Sequence, residues 1–197
     1  MIKRLFDIIS SVIGLSIVSP IFLFVVFLIK KESPGPIFYK AQRIGKKGKP
    51  FSMYKFRTMV ENADKIGGSS TPNDDPRLTK IGLFLKKYQL DELPQLFNVL
   101  KGDMSIVGPR PQVSWAVQLY TPEEKQVLSM LPGLTDWASL WNFHEGEILE
   151  GSNNPDKDYM EKIHPEKMRL QLKYVKNHSF WVDLKIIFKT LLKVIKG

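Results

Sequence analysis

The chain has no cysteine, which excludes disulfides, thiolate nucleophiles and cysteine-ligated zinc without assigning a redox compartment. Histidine is scarce as well. His144, His164 and His178 are the three; none stands in a metalloprotease or triad spacing, and each is expected at the surface or a helix end. Acidic residues are outnumbered, 20 Asp and Glu against 29 Lys and Arg, for a formal charge of +9. The expected partners are therefore anionic: nucleic acid, anionic lipid or nucleotide phosphates. No internal repeat, low-complexity tract or linker divides the chain, so residues 1–197 are read as one domain with a modest core.

Charge is missing altogether from Ile8 to Ile29. At ~1.5 Å per residue this run reaches about 33 Å, enough to cross a bilayer core of about 30 Å. It is too long for a signal-peptide core, and Lys30-Lys31-Glu32 follows it where a cleavage site would need small residues, so it is expected to be retained. Ser19-Pro20 falls at its middle, where proline removes a helical hydrogen bond and kinks the chain. Lys3 and Arg4 precede the run and Lys30 and Lys31 follow it, drawing both flanks to the cytoplasm. A re-entrant helix-break-helix over residues 1–31 meets both conditions, with the Ser19 hydroxyl bonding a preceding carbonyl. One kinked spanning helix fits the composition equally well, and the residues alone leave both open.

Residues 32–197 then make up the portion at the membrane interface. Ile37–Lys40 and Phe51–Phe56 read as strands of a short hairpin across the turn-rich Gly45-Lys46-Lys47-Gly48-Lys49-Pro50. Its basic residues suit lipid headgroups, nucleotide phosphates or plain solvent. Glu61 to Lys80, with Gly67-Gly68-Ser69-Ser70 and Asp74-Asp75-Pro76, reads as a mobile loop of lid length. Val182 to Ile195 is expected as an amphipathic helix, with Leu184, Ile187, Phe188, Leu191, Leu192 and Ile195 on one face and Lys185, Lys189 and Lys193 opposite. With Phe180 and Trp181 at its start, such a helix suits a membrane interface, or the cover of a soluble core.

The chemistry centres on Asp91 and Glu92. Gly82 to Tyr88 is a helix candidate carrying Lys86 and Lys87, and a second helix is expected from Asp91 to near Gly102, with Pro94 tolerated in its first turn. Free amides at that helix start would add positive potential for a phosphate. Adjacent carboxylates project about 100° apart on a helix, so one can attack phosphorus while the other turns to a metal. Arg110, held between Pro109 and Pro111, is suited to a bidentate phosphate clamp. Taken alone, the pair reads more simply as a helix cap and a dipole-favouring carboxylate.

The run Leu90-Asp91-Glu92-Leu93-Pro94-Gln95-Leu96-Phe97-Asn98-Val99-Leu100, continued by Lys101-Gly102-Asp103-Met104-Ser105-Ile106-Val107-Gly108-Pro109-Arg110-Pro111, closely resembles the signature of the bacterial sugar transferases, the small monotopic polyprenyl-phosphate phosphoglycosyl transferases. Lys3–Asp7, Gln42-Arg43-Ile44-Gly45, Lys55–Met59, Asp75-Pro76-Arg77, Pro132-Gly133-Leu134-Thr135 and Asp183–Thr190 extend the resemblance over nearly the whole chain. It implies an α+β, mainly helical fold: a re-entrant N-terminal membrane helix broken at Ser19-Pro20, a short β-hairpin, and amphipathic interfacial helices around a cytoplasmic active site at the bacterial inner membrane. It implies transfer of a sugar phosphate from a UDP-sugar to undecaprenyl phosphate with UMP release, initiating surface-glycan or glycoprotein-glycan assembly. Membrane lipid is then a partner, nucleic acid is not, and a homodimer is left open. Asp91 matches the nucleophile, and Glu92 a partner in Mg²⁺ placement or proton handling, so both are candidate metal ligands. Arg110 matches a phosphate-binding arginine, and Lys55 and Arg57 are candidates for the diphosphate.

The chain also departs from the family pattern. Lys86 stands where the family commonly has arginine, replacing a fork with a point charge. Asp136 stands where glycine is usual, and the segment 136–158 diverges, which puts sugar and base recognition there in doubt. Trp137 and Trp141 are candidates for stacking on a base or sugar, or for core packing. The competing class is a basic membrane adaptor or nucleic-acid binder, which would have no need of Asp91.

Overall fold

The structure is a computed structural model and describes residues 2–196. The uncharged run forms one helix, α1 (Ile2–Glu32), which continues through Pro20 where a break was expected. Pro20 lacks the amide that would bond the Ser16 carbonyl. The Ser19 hydroxyl donates to that same carbonyl at 2.9 Å, so the lost bond is replaced locally.

The hairpin is present, with β1 (Phe38–Ile44) longer than expected and β2 (Pro50–Phe56) in antiparallel register with it. The period-2 alternation puts Tyr39, Ala41 and Arg43 on one face, opposite Lys55, Met53 and Phe51 respectively. Lys46, Lys47 and Lys49 are exposed at the turn. The Glu61–Lys80 segment is anchored, contrary to the mobile loop expected from its composition. Buried Arg77 pairs with Asp75 and donates to the carbonyls of Ala63 and Gly68, while Met59 bridges to Leu78.

Helix α2 (Lys80–Lys87) starts two residues earlier than expected because the Thr79 hydroxyl caps it, accepting from the Gly82 amide. A tight turn at Leu90–Glu92 leads to α3 (Gln95–Lys101), which ends at Gly102 with φ 93°, a left-handed conformation suited to glycine. Next comes β3 (Ser105–Val107), which pairs in parallel with β4 (Gly133–Thr135), a second small sheet the sequence did not suggest. This crossing needs backbone against backbone. A Cβ on Gly133 would lie 2.1 Å from the Gly108 nitrogen.

Between these strands lies α4 (Ser114–Gln118). After them come α5 (Trp137–Trp141), α6 (Glu145–Ile148), α7 (Pro155–Asp158), a π-helical turn at Tyr159–Ile163, α8 (His164–Asn177) and α9 (Phe180–Lys196). His164, at the start of α8, is buried and contacts Glu124 at 3.0 Å.

One core cluster joins Ala41, Met53, Val99, Val107, Tyr174 and Ile186, drawing on both sheets, α3, α8 and α9. Helix α1 lies along this body and is tied to it at both ends. Lys3 pairs with Asp183 at 2.6 Å, Arg4 donates to the carbonyls of Val99 and Leu100, and buried Asp7 accepts from the Ser105 hydroxyl and Ile106 amide. At the far end, Glu32 accepts from the amides of Lys80 and Ile81. The outer side of α1 stays apolar and exposed, with Leu5, Val12, Ile17, Leu23, Phe24 and Phe27 uncovered.

Helix α9 departs from the expected two-sided pattern. Lys193 turns inward, donating to the Leu140 carbonyl at 2.7 Å, and the Lys189 ammonium sits over the Trp137 ring. Trp181, Phe188, Leu192 and Ile195 remain exposed.

Candidate active site

The Leu90–Glu92 turn follows Gln89, whose backbone is left-handed (φ 56°) and whose side-chain amide donates to the Phe143 carbonyl. This entry buries both Asp91 and Glu92. The expected ring of free amides around them is not formed. The turn amides are used locally, Leu93 to Leu90, Leu96 to Leu93 and Phe97 to Pro94, so attraction for an anion must come from cationic side chains.

Those cations converge from four places in the chain. Lys55 on β2 donates to Glu92 Oε1 at 2.8 Å and approaches Asp91 Oδ2 at 3.4 Å. Arg110 follows β3, and its guanidinium grips Glu92 with both arms, Nη1 to Oε2 at 2.9 Å and Nη2 to Oε1. Its place is fixed by the glycine crossing: Gly108 donates to the Thr135 carbonyl, Gly133 to the Pro109 carbonyl, and the Arg110 amide to Asp136 Oδ2. Lys86 on α2 is partly buried and donates to the Thr71 carbonyl. Arg43, on the same hairpin face as Lys55, completes the group and was not singled out from sequence; its only side-chain hydrogen bond among the described residues is to the Gln42 carbonyl.

Arg57 is the exception among the expected binders. Its guanidinium donates to the Ser33 carbonyl and hydroxyl and to the Pro34 carbonyl. The residue therefore pins the α1–β1 connection, and those donors are not offered to a diphosphate.

The two carboxyls differ in ionisation. Burial pushes Asp91 upward and the adjacent Glu92 adds to this; Lys55 pulls the other way without cancelling them, so Asp91 sits above the usual carboxylate range. Burial also acts on Glu92, but Arg110 and Lys55 outweigh it and hold Glu92 well below that range. Lys86 is lowered from its ordinary value, chiefly by burial.

These groups line a cavity of about 1580 Å³. Arg43, Lys55, Lys86, Asp91 and Arg110 mark its polar part, while Val18 and Ile21 of α1 and Ile187, Leu191 and Val194 of α9 contribute apolar lining. Trp115 is on the lining, its indole bonded to the Ser69 hydroxyl at 3.2 Å, whereas Trp137 packs against the core and Trp141 is exposed away from the cavity. Among the described residues there is no cluster of three histidine or acidic side chains able to cage a metal. Such a site has a weakly paired carboxyl group beside a firmly paired one, cations in excess of carboxylates, and an apolar approach along two helices.

The profile of the family described as bacterial sugar transferase matches residues 1–197. The chain is 37% identical over 199 residues to the UDP-N-acetylgalactosamine-undecaprenyl-phosphate N-acetylgalactosaminephosphotransferase of Aeromonas hydrophila, covering 100% of this chain and 44% of that protein. It is 40% identical to the uncharacterized sugar transferase EpsL of Bacillus subtilis, covering 98% of this chain and 87% of that protein. To the UDP-glucose:undecaprenyl-phosphate glucose-1-phosphate transferase of Escherichia coli it is 38% identical, covering 98% and 40%. The chain thus spans less than half the length of the Aeromonas and Escherichia proteins.

Proposed function

The chain belongs to the bacterial sugar transferase family, and on that premise we propose that it moves a sugar phosphate from a UDP-sugar to undecaprenyl phosphate through a covalent aspartyl intermediate. The observation that carries this reading is the inequality of the acidic pair. Both line the cavity, but Glu92 is held by Arg110 and Lys55, while among the described residues the Asp91 carboxyl has one side-chain hydrogen bond, from Lys55 at 3.4 Å.

An Asp91 carboxylate oxygen bonds to the sugar-linked phosphorus as the bond from that phosphorus to the bridging diphosphate oxygen breaks, and UMP leaves with the electron pair. An oxygen of undecaprenyl phosphate then attacks the same phosphorus, and Asp91 departs as carboxylate. Glu92 holds Arg110 and Lys55 in place beside the reacting centre. A guanidinium has five N–H groups, and the two spent on Glu92 leave others for phosphate oxygens. Lys55, Lys86 and Arg43 offset the diphosphate charge.

Mg²⁺ is usually held by one or two carboxylates together with substrate phosphates; with both Glu92 oxygens taken by Arg110 and Lys55, Asp91 is the carboxylate that fits that pattern, and Glu92 would join it only by releasing one of those cations. When bound, the ion would neutralise charge on the diphosphate.

Both ends of α1 are bound to one body while its outer side is apolar. This supports a re-entrant path, bent rather than broken at Pro20, with both flanks on the cytoplasmic face of the inner membrane, and α9 lying in the interface. The apolar lining from α1 and α9 suits the polyprenyl chain. Because the native sequence lacks cysteine, single cysteines at positions 3 and 31 can be labelled selectively. Labelling from the same side is expected, and labelling from opposite sides contradicts the topology. For the chemistry, incubation with UDP-sugars and Mg²⁺ is expected to give about one UMP per protein without acceptor and continuous release once undecaprenyl phosphate is added. No release from any UDP-sugar would overturn the reading.

A further inference from the structure

The divergent 136–158 segment brings Glu145 to the cavity beside Lys167 of α8, a second charged pair beyond the acidic dyad. Glu145 on α6 and Lys167 on α8 both line it. The Lys167 side chain is only 5% exposed, and such a buried ammonium needs partners. One is the Tyr159 hydroxyl, to which it donates at 2.7 Å. The Glu145 carboxylate lies 3.8 Å from the ammonium, close enough for attraction and too far for a hydrogen bond.

Each member of the pair is held from behind. The Asn142 amide donates to Glu145 Oε2 at 2.8 Å, orienting that carboxylate. Tyr159 accepts from Gln112 at 2.8 Å as well as from Lys167, so its oxygen is fixed by two donors. Gln112 is two residues beyond Arg110, which ties this wall to the phosphate-binding arginine. Tyr159 also opens the π-helical turn, a backbone irregularity often found at functional sites.

The chemistry of the gap is specific. An anionic group there would meet the Glu145 carboxylate, and a cationic one the Lys167 ammonium. A hydroxyl is both acceptor and donor, so it can accept a hydrogen bond from the Lys167 ammonium and donate one to the Glu145 carboxylate. Resting on the transferase reading above, we propose that Glu145 and Lys167 read a hydroxyl of the donor's sugar, selecting a neutral sugar that carries that hydroxyl free. Asn142 and Tyr159 act as positioning residues for the pair.

The test uses the full chain in detergent or nanodiscs, the UDP-sugar it turns over best, and each mono-deoxy analogue of that sugar. Glu145→Gln is nearly isosteric, and Lys167→Met keeps the buried stem. For one deoxy position, the wild type is expected to prefer the parent donor strongly. Either variant should shrink that preference by about 10- to 100-fold, the scale of a charge-assisted hydrogen bond. UDP itself, which has no sugar, should bind wild type and variants within about twofold. A general structural defect would lower turnover of parent and deoxy donors together and leave their ratio unchanged. An unchanged ratio at every position overturns the inference while the wild type's own turnover leaves the transferase reading standing. If the wild type turns over no UDP-sugar at all, both fall together.

Discussion

Removing the Arg110 guanidinium strands a buried carboxylate, and the consequence can be sized from the structure. The Glu92 side chain is 9% exposed and that of Arg110 25%. Breaking a buried pair by deleting one partner costs about 3–5 kcal/mol because the other charge is left uncompensated. Lys55 remains on Glu92 Oε1 at 2.8 Å and Arg110 is partly wet, so about 2–3 kcal/mol is expected for Arg110→Met. In a chain of this length that corresponds to a fall of about 4–12 °C in apparent Tm, readable by the fluorescence of the four tryptophans. Replacing both partners removes the stranded charge. The double variant Glu92→Gln with Arg110→Met should therefore recover to within about 1 kcal/mol of wild type, while turnover stays at least about 100-fold down. An Arg110→Met protein as stable as wild type, or a double variant whose losses simply add, would refute the coupling of these two side chains.

Three further expectations follow, two from Asp91 and one from the glycine crossing. Asp91 ionises above the usual carboxylate range because it is buried beside Glu92, so its rate of adduct formation should fall as pH drops through that raised pKa. Stability runs the other way: a raised folded-state pKa contributes stability at low pH that is lost as pH rises through it. Asp91→Asn should accordingly be more heat-resistant than wild type at about pH 7.5 and lose the advantage below about pH 4; an equal gain at both pH values would contradict the assignment. Gly133→Ala would put a Cβ 2.1 Å from the Gly108 nitrogen and 2.3 Å from its oxygen. A loss of roughly 3 kcal/mol in denaturant titrations is expected, and wild-type stability would show that the crossing is looser than described.

Much of the site was legible because its parts are close in sequence or chemically distinctive. Asp91, Glu92 and the proline-flanked Arg110 lie within one motif, and Lys55 and Lys86 came from the family resemblance, Lys86 as a departure from it. Arg57 lines the cavity, but its bonds to Ser33 and Pro34 were not legible, because a basic residue at the end of a hairpin strand looks the same whether it faces a ligand or a backbone carbonyl. Polar composition likewise cannot separate a mobile loop from one knotted by Arg77, since the same glycines and aspartates serve both. The β3–β4 pairing was hidden by size: two strands of three residues, far apart in the chain, carry no alternation to read. Glu145 and Lys167 were missed because their meeting depends on how α6 and α8 fold back over the cavity. At Ser19-Pro20 the residues pointed to a lost hydrogen bond, and its replacement by the Ser19 hydroxyl let the helix run on.

The central claim is one covalent bond at Asp91. Incubating the membrane-embedded protein with Mg²⁺ and a UDP-sugar labelled in the sugar-linked phosphate, without lipid acceptor, then mapping peptides, should find the label on the peptide bearing Asp91, absent in Asp91→Asn and discharged by undecaprenyl phosphate. Steady UMP release with no label on that peptide, or label that persists in Asp91→Asn, would contradict it.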